Sequence, residues 1–219
     1  MTMDSMGPLI FGFHLYILLM IVSGVFYLVC AAIVWKRAKN EKNELIYALM
    51  AFLVYQAISM FFMGLEMHTM NLVYSNIASL AVFIGSVYML KFPLSSFSAG
   101  VRRTLFNLSL VAVLIMFVWF MQTEARQMTL MKFTLWYDLI INGIIAGGSI
   151  LYFGFRNTQY WPRFKALSGG TGVVACCVIS NGAMLGGSML LSSVFAFLAP
   201  FIITVSIIIA HKRQQNVIS

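Results

Sequence analysis

Long apolar runs alternate with short polar connections along the whole chain. Seven runs, each bounded by charged or turn-forming residues, lie near 8–35, 45–65, 72–92, 104–121, 133–155, 168–187 and 190–210. At 1.5 Å per residue, each run is long enough to cross a hydrocarbon core of about 30 Å. The pattern predicts an all-α integral membrane protein with seven transmembrane helices in a single domain, 1–219, and no soluble domain. Only Gly186-Gly187-Ser188 separates the last two runs, so a re-entrant pair stays open there.

Composition supports the membrane class. Hydrophobic residues make up 61% of the chain and charged residues 9%, whereas a soluble domain has roughly 25% charged residues. The formal net charge is +8, and basic residues beside a membrane are attracted to anionic lipid headgroups. The charge therefore points to the lipid bilayer as a partner and gives no argument for nucleic acid. Other membrane subunits or a homo-oligomer stay open as further partners.

The basic residues are concentrated in alternate connections. Of the 14 Lys and Arg residues, all but Arg126 and Lys132 lie on one predicted side, namely Lys36, Arg37, Lys39, Lys42, Lys91, Arg102, Arg103, Arg156, Arg163, Lys165, Lys212 and Arg213. Because Lys and Arg are retained on the cytoplasmic side, we expect the amino terminus outside and the carboxyl terminus in the cytoplasm. The expected location is the cell (inner) membrane.

When the sequence is aligned with itself at an offset of about 120 residues, its first part matches its last part. Leu15 then pairs with Leu135, and Trp35 pairs with Phe155. This alignment predicts that helices one to three and five to seven are parallel repeats joined by helix four. Such a 3+1+3 plan resembles the layout of sugar-exporting SWEET proteins and of microbial rhodopsins, and parallel repeats are one transporter architecture. The resemblance carries no residues over, since the SWEET-type Pro-Gln pair and the retinal-binding lysine of helix seven are both missing.

Glycines at four-residue spacing indicate close helix packing. Gly143 and Gly147 lie in the fifth run, and Gly182 and Gly186 lie in the sixth. Small residues at this spacing let backbones approach each other in a membrane, so we expect these glycines at helix–helix contacts. Pro200 in the seventh run removes a backbone donor and predicts a bend.

Polar residues inside the apolar runs are the first candidates for a binding site, because polar groups are costly in hydrocarbon. Asp138 has Thr134 and Asn142 one turn before and after it, and this spacing stacks all three on one helix face. We expect that face to line a ligand-binding cavity. An interfacial Asp138, bonded to a nearby aromatic residue or helix, is the alternative. Helix three contributes a further polar face formed by Asn71, Ser75 and Ser79.

A second candidate site lies near the predicted outer surface. Its residues are His14, Glu66, His68, Met63, Met67 and Met70. Thioethers select cuprous copper and imidazole suits copper, iron and zinc, so the set predicts a soft-metal site, or with two histidines a haem b site. We expect the three methionines to share a helical face beside His68. The alternative is that methionine serves only as an adaptable apolar filler.

The functional hypotheses follow from these two sites. The chain contains no phosphate-binding glycine loop, nucleophile elbow or His-Glu-x-x-His pattern, so we do not expect an enzyme. One hypothesis is a small binding or transport protein for a solute or soft metal, with a polar cavity that opens outward between helices one, two, three and five. The alternative is a non-catalytic subunit or assembly factor of a larger redox or secretion complex, in which the same groups contact partners or bind haem.

Overall fold

The computed structural model describes residues 9–10, 13–41 and 43–218. Two short strands, β1 (Leu9–Ile10) and β2 (Phe13–His14), pair in antiparallel fashion ahead of the first helix. The described helices are α1 (Leu15–Glu41), α2 (Glu44–Thr69), α3 (Leu72–Met89), α4 (Lys91–Leu94), α5 (Ala99–Met121), α6 (Glu124–Asp138), π1 (Leu139–Gly147), α7 (Gly148–Arg156), α8 (Tyr160–Val174), π2 (Ala175–Ser180), α9 (Asn181–Leu185) and α10 (Met189–Ile218). The fold is thus almost wholly helical.

Some consecutive helices continue one another without a break, and we call each continuous helical segment a rod. Six of them are long and apolar enough to cross a membrane: Leu15–Lys39, Glu44–Thr69, Leu72–Leu94, Ala99–Met121, Glu124–Arg156 and Pro162–Leu185. The apolar stretch Met189–Val205 of α10 follows. The predicted all-α, multi-pass membrane class is confirmed at this level, with six long apolar helices and a further apolar stretch in α10. The membrane, its orientation and the internal repeat stay predictions.

The fifth apolar run begins earlier than its hydrophobicity predicts. α6 begins at Glu124 rather than near residue 133, because the Thr123 side chain accepts a hydrogen bond from Arg126 N at 3.3 Å and caps the helix. An acidic residue in the first turn also suits the positive end of the helix dipole. Asp138 therefore lies roughly 20 Å from the start of its helix, at 1.5 Å per residue. Asp138 thus lies deeper in its helix than a start near residue 133 predicts.

The connection between α2 and α3 is a tight turn. Met70 adopts a left-handed conformation with φ 54°, and its N–H donates to Glu66 O at 2.7 Å. Asn71 then caps α3, since its side chain accepts from Val73 N at 3.0 Å. We call this end of the bundle the hairpin end. Asn71 lies directly before α3, caps its first turn and is exposed, so it does not line the interior.

The rods pack as a ring in chain order, with α5 outside it. α1 packs on α2, α2 on α3, α3 on α6, α7 on α8, α8 on α10, and α10 on α1. α5 contacts α3 and α6 from the outside, and Val113 and Phe120 are its buried residues. At the end opposite the hairpin end, α1 and α7 finish while α2 and α8 begin, and we call it the basic end.

The glycines of the two predicted packing pairs differ in their surroundings. A Cβ on Gly143 would lie 2.5 Å from Val178 Cγ2, and one on Gly147 would lie 2.9 Å from Val174 Cγ2, so both glycines allow π1 to approach the neighbouring rod. A Cβ on Gly182 would meet no atom within 4 Å, and one on Gly186 would meet only carbonyls of its own turn. The close-packing expectation therefore fits the first pair and not the second, which faces outward beside the α9–α10 turn.

Pro200 lies within α10, and the helix continues past it. Its carbonyl accepts a hydrogen bond from Cys30 Sγ at 3.5 Å, so this part of α10 is joined to α1.

Candidate functional site: the Asp138 cluster

A buried carboxylate lies at the centre of the ring. Asp138 is 5% exposed, and its Oδ2 accepts a hydrogen bond from Asn181 Nδ2 at 2.6 Å. Its Oδ1 accepts from Gln56 Nε2 at 3.3 Å and from the Asn142 side-chain amide. The donors come from α2, π1 and α9, so one carboxylate joins three rods. We call Asp138, Gln56, Ser86, Asn142 and Asn181 the Asp138 cluster.

Ser86 extends the cluster to α3. Asn142 Nδ2 donates to Ser86 Oγ at 2.8 Å, and that hydroxyl donates in turn to Val82 O at 2.8 Å. The Oδ1 atom of Asn142 is buried and has no hydrogen-bond partner among the described residues. A buried acceptor without a partner costs free energy. The cluster therefore offers an unused oxygen beside the Asp138 carboxylate.

Two π-helices flank the cluster. Asp138 is the last residue before π1, Asn142 lies inside π1, and Asn181 is the first residue after π2. A π-helix has a wider turn than an α-helix, occurs rarely, and is often found at functional sites. π1 and π2 pack against each other. The widened turns lie at the same place where the two rods present their polar side chains to each other.

Further polar side chains lie between the cluster and the hairpin end. Ser59 and Ser79 are 1% and 0% exposed, and neither hydroxyl has a partner among the described residues. Helical spacing puts Ser59 on the same face of α2 as Gln56, and Ser79 on the same face of α3 as Ser75 and Ser86. Ser75 and Ser79 of the predicted polar face are thus buried on the side of α3 that carries Ser86, the residue that bonds to Asn142.

Thr134 is buried with this group but is already satisfied. Its hydroxyl donates to Leu130 O at 2.8 Å within α6. It therefore contributes less free hydrogen-bonding capacity to the site than Ser59 or Ser79.

No basic side chain contacts Asp138 in the part of the chain that the structure describes. Amide dipoles stabilise a carboxylate only in part, and an unpaired charge inside a membrane protein is costly. A cation or a proton is therefore the chemical species that this arrangement accommodates best.

The candidate metal ligands are spread over the hairpin end. The rings of Phe13 and His68 lie with their centroids 4.6 Å apart, and those of His14 and Tyr16 lie 6.1 Å apart. Met63 is buried in a core cluster that Met67 packs against. Glu66 Oε2 is buried without a hydrogen-bond partner among the described residues.

The three methionines do not share one helical face. α2 ends at Thr69, and Met70 follows in the left-handed conformation and is 74% exposed. Within residues 9–10, 13–41 and 43–218, no group of three or more His, Cys, Asp or Glu is placed to hold a metal ion. Copper and haem b stay predictions for this end.

One cavity lies at the basic end of the bundle. A cavity of about 580 Å³ opens at the basic end, among α1, α2, α4, α7 and α8. At the hairpin end, where an outward opening was expected, Tyr16, Met63 and Met184 pack into a buried core cluster. The outward-opening cavity between helices one, two, three and five therefore stays a prediction.

Gln56, Ser86 and Asn181 belong to the site and were not predicted. Each is one polar residue in an apolar run, and that was the available signal in the sequence. No protein-family model matches this chain, and no curated protein and no solved structure matches it either.

Proposed function

We propose that this protein is a small membrane carrier that binds a cation, in the simplest case a proton, at the Asp138 cluster. The observation that carries the proposal is a buried carboxylate in the middle of a membrane-spanning helix, bonded by amides from three rods and by no basic residue among those described. Ionisable residues inside membrane helices mark substrate, ion or proton pathways by default.

Oxygen atoms supply the binding chemistry. Hard cations such as Na⁺ are held by carboxylate, amide carbonyl and hydroxyl oxygens. Asp138 offers its carboxylate, Asn142 its unpartnered Oδ1, and Ser86 its hydroxyl. A proton needs only the carboxylate, with the neighbouring amides turned to accept or donate as its charge changes.

Apolar layers close the cluster at both ends. Toward the basic end, Phe52, Ala146 and Cys176 belong to one buried core cluster. Toward the hairpin end, Met63, Leu135 and Met184 belong to another. A central site closed on both sides is what a carrier requires in its occluded state, and midplane sites between repeats are common in transporters.

Vesicle transport tests the proposal. The purified protein is reconstituted into lipid vesicles, and proton, Na⁺ and K⁺ fluxes are followed with enclosed ion-sensitive dyes under imposed gradients. We expect flux of at least one of these cations through the wild type and its loss in Asp138→Asn. The amide has nearly the same shape as the carboxylate, so the variant should still fold.

Thr134→Val is the matched control. It removes a neighbouring polar group of α6 whose hydroxyl is bonded within its own helix, so flux should persist. Absence of flux for all three cations in the wild type, or equal flux in Asp138→Asn, contradicts the proposal.

A second candidate, a subunit of a larger membrane complex, is favoured by α5. This helix stays outside the ring, exposes Leu108, Ile115 and Val118, and buries Val113 and Phe120. Extraction from its native membrane in mild detergent tests this candidate. A complex well above the 24.5 kDa of one chain supports it, and a single-chain species contradicts it.

A further inference from the structure

The cavity at the basic end has mainly apolar walls. Leu49, Phe92, Ile150 and Phe153 line it, and its volume is about 580 Å³. Sites for small molecules are clefts of roughly 300–1,000 Å³ with mostly apolar walls and a few placed polar groups. The cavity fits that description in size and lining.

Two basic residues lie in its lining. Arg37 belongs to the last turns of α1, and Lys165 belongs to the first turns of α8, so the positive charges come from two different rods. Asn43 and Asn157 add polar groups from the α1–α2 and α7–α8 connections. The charged residues of the lining are therefore both basic. They lie near the ends of their helices, at the level where lipid headgroups lie in a bilayer.

We propose that this cavity binds an anionic phospholipid of the surrounding bilayer, with its phosphate near Arg37 and Lys165 and one acyl chain against Leu49, Phe92 and Phe153. Basic pockets between transmembrane helices bind anionic headgroups, and the apolar interior accounts for the chain. A soluble anion would use the two charges and leave the apolar wall in contact with water. The walls therefore favour an amphiphile.

The lipid site is separate from the Asp138 cluster. Leu49 lines the cavity and Gln56 belongs to the cluster, and the two lie about 10 Å apart along α2. Phe52 and Leu53 lie between them and are fully buried. A variant that loses lipid binding can therefore keep cation binding, and a variant that loses cation binding can keep lipid binding.

Thermal unfolding of the purified, delipidated full-length protein in detergent tests the proposal. Phosphatidylglycerol is added to one sample and phosphatidylcholine to another, and each shift in Tm is measured against the lipid-free baseline of the same variant. A ligand that binds only the folded state raises Tm. We expect phosphatidylglycerol to raise Tm and phosphatidylcholine to raise it much less.

Two variants and one control locate the effect. Arg37→Gln combined with Lys165→Gln removes the charges, and Ala166→Phe fills the cavity from its wall; each should lose most of the phosphatidylglycerol shift. Arg163→Gln removes an exposed charge of α8 outside the lining and should keep the shift. Comparing each variant with its own baseline separates lost lipid binding from a general change in stability.

Three outcomes would overturn the proposal. Equal shifts with both phospholipids would show that charge is not recognised. An undiminished shift in Ala166→Phe would place the lipid outside the cavity. A third sample receives oleate, and a larger Tm shift with oleate than with phosphatidylglycerol would identify a free fatty acid as the ligand instead.

Discussion

Asn181 donates a 2.6 Å hydrogen bond to the carboxylate of Asp138, although 43 residues separate them along the chain. One lies directly after π2 and the other directly before π1. The bond therefore ties together two rods at the place where each leaves α-helical geometry. A polar contact and two uncommon helix segments coincide in the middle of the bundle, and this coincidence distinguishes the site from an ordinary buried hydrogen bond.

We predict that Asn181→Ala destabilises the protein by about 1–3 kcal/mol, because it leaves Asp138 Oδ2 buried without its donor. Denaturant unfolding in detergent measures the change. Thr171→Ala is the control, since Thr171 is exposed and its hydroxyl bonds to Leu167 O in its own helix. The control should stay within about 0.5 kcal/mol of the wild type. Equal effects of the two substitutions would contradict a special role for the Asp138–Asn181 bond.

We predict that Gly143→Leu destabilises the bundle by about 1–3 kcal/mol or more, because its Cβ would lie 2.5 Å from Val178 Cγ2. The measurement is the Tm of the detergent-purified protein. Gly182→Leu is the matched substitution in open space and should leave Tm unchanged or slightly higher, since glycine is a poor helix former. A lower Tm for Gly182→Leu than for Gly143→Leu would show that the packed glycine pair had been assigned wrongly.

The membrane class and most of the helical spans were predictable, because the length and apolarity of a run decide whether it can cross a bilayer. The start of the fifth helix was not predictable from apolarity, since residues 124–132 include Glu124, Arg126 and Lys132 and are nevertheless helical. The cap of Thr123 on Arg126 N decides that boundary. The earlier start puts Asp138 in the middle of the segment Glu124–Arg156 rather than in its first turns.

Part of the site was also predictable from the spacing of polar residues within one helix. The i, i+4 spacing puts Asp138 and Asn142 on one face, and the two side chains are indeed bonded. Their partners Gln56 and Asn181 lie on other rods, and which rods are neighbours is a property of tertiary packing. The apolar spacing in these runs carries no sign that two segments adopt π geometry. The left-handed turn at Met70 likewise depends on the cap to Glu66 O, and it removes Met70 from the expected face.

We predict, from the residues at the hairpin end, that the purified protein binds cuprous copper and that His14→Ala combined with His68→Ala abolishes binding. Imidazole and thioether groups bind the metal weakly one by one and more tightly when a helix end holds several together. Metal analysis after dialysis measures the copper content. Met89→Leu, at the last residue of α3 and so at the basic end, is the control and should keep it. A protein that holds no copper would contradict the prediction, and a Soret band lost with either histidine would indicate haem b instead.

We predict that the basic end faces the cytoplasm. Arg37, Arg102 and Lys165 lie at this end, while Arg126 lies near the start of α6 at the opposite end. Because Lys and Arg near helix ends resist transfer across the membrane, the end with more of them should remain inside. Reporter fusions after Lys42, Gly100 and Lys165 should report the cytoplasm, and one after Arg126 should report the outside. The reverse pattern would contradict the orientation and would place the lipid cavity in the outer leaflet.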